Sequence, residues 1–143
     1  MKRTLMWVGI TLVVGAVTLG LSRTIWPEAA GGGQPPGSLL PFFIVLGLAE
    51  SFLFGLGIAF IVFGSRILVR SRQPLWLSYA AYAAIAWLLV SWWPHDNLHR
   101  VTVAGNWAGL LRIEYGFHLT LMAAGVVLAV FFFRVLRTQE AAA

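Results

Sequence analysis

The sequence predicts an all-α integral membrane protein, a bundle of four transmembrane helices with both termini in the cytoplasm. Composition is the first observation behind this. Hydrophobic residues make up 59% of the 143 residues and charged residues only 10%, against about a quarter charged in soluble domains. A fold of this size cannot bury so much apolar surface, so lipid must take it. The second observation is that apolar residues gather in four runs, about 5–21, 39–63, 75–93 and 109–135, each long enough to cross a bilayer. The third is the placement of Lys and Arg. Lys2, Arg3, Arg66, Arg70, Arg72, Arg134 and Arg137 flank one set of run ends, and Arg23, Arg100 and Arg112 flank the other. The positive-inside rule puts the first set in the cytoplasm, as expected of a multi-pass protein of the plasma (inner) membrane.

Length leaves room for one domain. The net charge of +5 does not mark a nucleic-acid binder, because the cations flank apolar runs and form no basic face. With no cysteine in the chain, disulfides, thiolate metal sites and cysteine nucleophiles are excluded.

The first run follows Lys2 and Arg3, as a signal peptide would. It is longer than the 7 to 15 apolar residues of a signal core, and no Ala-x-Ala site follows closely, so it reads as a retained helix. A cleaved signal, leaving three spans, is the alternative. Trp26 and Pro27 suit an interfacial anchor and a helix stop. Residues 29–38, AAGGGQPPGS, form a flexible connector. The second run is interrupted by one charged residue, Glu50, and contains Gly47, Gly55 and Gly57, which permit close approach by a neighbouring helix.

Residues 65–73 read as a short basic loop closed by Pro74. The third run carries Trp76 at one end and Trp92 and Trp93 at the other, and Pro94 is expected to end it. Its 19 residues (75–93) span roughly 28 Å. An outer polar segment, 94–108, follows, with Asn106 a candidate N-cap for the last helix. That helix, from about Trp107 to Val135, is longer than a bilayer requires. Phe131, Phe132 and Phe133 near its inner end read as lipid-facing bulk, and the tryptophans Trp92, Trp93 and Trp107 as interface anchors.

Chemistry concentrates between Trp92 and His118. Of the eight acidic or histidine residues, His95, Asp96, His99, Glu114 and His118 all lie there. Glu114 and His118 are four apart, as are His95 and His99, so on a helix each pair shares a face. Imidazole nitrogen and carboxylate oxygen are donors that suit zinc, copper or iron. Glu50 joins them through a depth argument. Counted from Pro41 and from Gly109, Glu50 and His118 each lie nine residues in, roughly 13 Å below the outer boundary. An unpaired ionised group there costs several kcal/mol, so the two are expected to face one another.

Each of these groups also has a purely structural explanation. Arg100 and Arg112 are close enough in sequence to neutralise Asp96 and Glu114. Glu114 lies early in a helix, where the macrodipole favours a carboxylate. Glu50 fits either a protonated packing residue or a proton relay. Three functional readings follow. The leading one is a small membrane subunit holding a metal ion or haem in its extracytoplasmic half, for redox or metal-handling chemistry in a larger membrane complex or homo-oligomer. Its ligands are His95, His99, Glu114 and His118, with Asp96 and Glu50 next. The second is a structural scaffold subunit with an ion-paired outer cap and no cofactor. The third is a small proton-coupled transporter using Glu50 and His118.

Overall fold

The computed structural model describes residues 2–29 and 36–140. The centre of the Gly/Pro connector, residues 30–35, and the last three residues of the tail therefore lie outside the described residues. The chain folds into helices α1 (Lys2–Ile25), α2 (Leu40–Phe63), α3 (Ser65–Val69), α4 (Leu75–Val90), α5 (Trp92–Val101) and α6 (Trp107–Glu140). No strand occurs among the described residues. Helices α1, α2 and α6 are each long and apolar enough to cross a membrane, whereas α4 qualifies only together with α5, across a bend of 43°. Three to four spans result, consistent with a multi-pass membrane protein.

Helix packing follows chain order. α1 lies against α2, α2 against α4, and α4 against α6, while α5 reaches α2, α4 and α6. Two glycines explain how α2 holds a neighbour on each side. A Cβ on Gly55 would collide with the Thr11 carbonyl of α1, and one on Gly57 would come within 2.5 Å of the Val90 side chain at the end of α4. Only glycine allows backbones so near one another. Gly47, expected to do the same, has nothing within 4 Å of a Cβ built there.

Side chains knit the row together. Phe60, Leu77, Ala81 and Phe131 are buried in one cluster, with Trp7 of α1 packed against it. Phe131 is only 3% exposed, so it belongs to this core and not to the exposed surface that Phe132 and Phe133 form. The helical turn that points the other two outward turns Phe131 in. The Tyr82 hydroxyl donates to the Ile61 carbonyl, and the Trp87 Nε1–H donates to Thr120 Oγ1 over 3.0 Å, tying α4 to α2 and to α6.

Beyond the third apolar run the structure departs from the sequence reading. Pro94 does not end a helix. It sits in the first turn of α5, where a missing N–H costs nothing. The break falls four residues earlier, because a proline ring clashes with the carbonyl of residue i−4, here Val90, and leaves it without a donor. The chain bends at Ser91 and resumes as a helix to Val101. Much of the expected polar connector is thus helical, with 102–106 left to link α5 to α6. Gly105 takes a left-handed φ of 85° in that link. Asn106 caps α6 as its type suggests, its Oδ1 accepting from the Gly109 N–H at 2.9 Å.

A candidate metal centre between α5 and α6

Because 92–101 is helical, His95 and His99 stand one turn apart on the side of α5 that meets α6. Their Nε2 atoms are 3.2 Å apart. Glu114, two turns into α6, brings Oε1 to 3.1 Å from His99 Nε2. One donor atom from each of His95, His99 and Glu114 lies within 4.8 Å of the other two. For metal–nitrogen bonds of 2.0–2.1 Å, the edge of a ligand tetrahedron is about 3.3 Å. Two of the three donor separations already match that edge.

His118 occupies a different place from the one its residue type suggested. Its Nδ1 is 2.8 Å from Glu114 Oε2 and 2.9 Å from the Glu114 backbone carbonyl. It holds the carboxylate from behind and leaves Oε1 turned toward His99. Bracing of this kind fixes a ligand's orientation. Rings close the site around His95. Phe117 lies 4.9 Å and His118 5.2 Å from its centroid, and Phe117 stacks on Trp87 of α4 at 5.7 Å. An imidazole ligates in its uncharged form, so the same nitrogens that could hold a metal also compete for protons.

Asp96 and Glu50 lie elsewhere. Asp96 pairs with Arg100 across one turn of α5 at 3.6 Å, in line with its structural explanation. Arg112, by contrast, forms no ion pair with Glu114 among the described residues; Glu114 is engaged by the two histidines. Glu50 is buried and faces a cavity between α1, α2 and α5 that includes Asp96, His99 and Arg100 but no residue of α6. Its depth along α2 says nothing of direction, and α5 stands between it and His118. Only His99 borders both the cavity and the three-donor group.

Three contributors carry no ionisable side chain, so residue type alone does not mark them as part of a metal centre. Phe117 packs on His95. Ser22 donates to Asn97 Oδ1 at 2.9 Å, and Asn97 donates to the Trp93 carbonyl at 2.7 Å, so α1 holds the start of α5 in position. Their one signal in the sequence is the spacing of Trp93 and Asn97, four apart in a segment that proves helical.

Compared with known protein families, curated proteins and solved structures, the chain has no match.

Proposed function

We propose that this chain is a four-span protein of the plasma membrane, termini in the cytoplasm, that holds one transition-metal ion between α5 and α6 at its extracytoplasmic end. His95, His99 and Glu114 are the ligands, and His118 orients Glu114. The observation that carries this reading is the convergence of three donor atoms from two helices, two pairs of them 3.1 and 3.2 Å apart. Two imidazoles and one carboxylate suit zinc or ferrous iron, with a coordination position left for water or substrate. Three facial donors favour a bare ion over haem, which takes at most two protein ligands on opposite faces of its ring. Such an ion supplies Lewis-acid or one-electron chemistry, and a subunit of this size would serve it within a larger membrane assembly. At 34 residues, α6 is roughly 50 Å long and extends well past a hydrocarbon layer of about 30 Å, giving a partner something to grip.

A second reading is favoured by the Asp96–Arg100 pair and by the fact that Glu114 and the histidines satisfy one another without an ion. On this account the same residues clip α5 to α6 as a structural cap. Elemental analysis and metal titration of the protein in mild detergent separate the two. Near-stoichiometric zinc or iron, lost in His99→Ala, supports the metal site. Absence of metal after addition of either ion, with His99→Ala lowering thermal stability, supports the cap.

A further inference from the structure

Glu50 is the most deeply placed carboxylate of the chain, 7% exposed and ten residues into α2 (Leu40–Phe63). Its carboxylate has no hydrogen bond or ion pair among the described residues. It faces a half-open cavity of about 630 Å³ bordered by α1, α2 and α5. The ionisable groups bordering that cavity are Arg23, Glu28, Glu50, Asp96, His99 and Arg100. Three of these are carboxylates and two are guanidiniums. Asp96 pairs with Arg100, and Glu50 is the buried carboxylate of the three.

The walls are of two kinds. Phe43, Ile44 and Leu48 of α2 supply an apolar side, while Ser51 and Asn97 add polar groups. Trp93 also lines the cavity, and its buried Nε1 finds no acceptor. Gly47 lies one turn before Glu50 on the same wall, and a Cβ there would meet nothing within 4 Å. The space in front of Glu50 is therefore open to more than a methyl group.

We propose that this cavity binds an organic ammonium ion, an amine carried on a small apolar body, with Glu50 as its counter-ion. A buried carboxylate is costly unless it is neutralised, and a monocation is the counter-ion that matches one carboxylate. An ammonium group also supplies donors that Glu50 lacks, and an apolar body suits the α2 wall. No metal ion is needed, because, of the three donor residues, only His99 borders the cavity, while His95 and Glu114 do not.

The test uses the full chain in phosphatidylcholine nanodiscs, titrated calorimetrically with phenethylammonium and with phenethyl alcohol, its uncharged counterpart. The cation should bind saturably and at least about ten-fold more tightly than the alcohol. Glu50→Gln should weaken the cation about thirty-fold or more, the usual cost of losing one partner of a buried charge pair. Gly47→Phe fills the cavity without touching a charge and should abolish binding of the cation. His118→Ala, which disturbs the proposed metal centre alone, should leave it unchanged. Far-UV circular dichroism shows which variants fold, and Gly47→Phe carries the test if Glu50→Gln does not. Equal binding of amine and alcohol, or full-strength binding to either cavity variant, overturns the proposal, as does no binding at all. Adding phosphatidylethanolamine to the nanodisc identifies the source of the ammonium. Competition points to a lipid headgroup and its absence to a soluble amine, and both uphold the site.

Discussion

Glu114 is where the two accounts of the polar segment meet, because each of its oxygens faces a different histidine. Oε1 is offered to His99, and Oε2 is held by His118. Different losses are therefore expected when the three histidines are removed. His95→Ala or His99→Ala takes away a proposed ligand, and metal titration in detergent should show occupancy near zero. His118→Ala only frees the carboxylate to turn, and affinity should fall about 10–100-fold, the range for residues that orient ligands. Arg100→Ala should leave affinity unchanged, since Arg100 serves Asp96. Acid should release the metal, because protons compete for imidazole nitrogen. A metal titration repeated from about pH 8 to about pH 5 should show the loss in the histidine range. Affinity that stays constant across that range would argue against imidazole ligation.

Among the elements, α5 is the one whose geometry creates the site. Pro94 interrupts the hydrogen bonding at Val90, and the resulting 43° bend directs the His95–His99 face toward α6. Pro94→Ala restores the donor and removes the clash, so α4 and α5 should merge into a straighter helix. Metal affinity should then fall at least about ten-fold with helix content unchanged, because misplacing one side chain of a small site by an ångström is enough to spoil it. If Pro94→Ala binds metal as well as the wild type, the bend does not set the site. Along α2, substitution should separate the glycines by neighbour. Gly55→Leu drives a side chain into the α1 backbone and should cost about 1–3 kcal/mol or more, read as a lower melting temperature in detergent. Gly47→Leu meets nothing and should be nearly neutral.

For the whole molecule, the testable quantity is topology. Seven of the ten Lys and Arg residues lie at the termini or in 65–73. Reporter fusions after Arg72 and at the C-terminus should therefore read cytoplasmic, and a fusion at Gly105 should read exported. A cytoplasmic Gly105 would remove the outer position of the metal centre. The large apolar residues that remain exposed along α1 and α6, such as Leu12, Val13, Leu119 and Val126, are what lipid or partner helices would cover. The side-by-side order of α1, α2, α4 and α6 leaves these two end helices with the widest uncovered faces.

Several of these features were determined by the sequence alone, because they depend on composition or on neighbours within one turn. Helical class, the positions of the apolar runs, the Asn106 cap and the Asp96–Arg100 pair are all local: each concerns residues a few positions apart or the apolar character of a run. The i,i+4 spacings also pair His95 with His99 and Glu114 with His118 without any knowledge of packing. The tertiary structure decided what local rules cannot reach. Rise per residue measures the depth of Glu50 and His118 but not the direction each faces around its helix, nor which helices are neighbours. The structure sets α5 between them, turning one toward a cavity beside α1 and the other toward Glu114. Phe131 is separated from Phe132 in the same way, one buried and one exposed, by a rotation of about 100° per residue. A chain of residue types records such rotations only relative to its own helix; which side is inside depends on the helices it packs against.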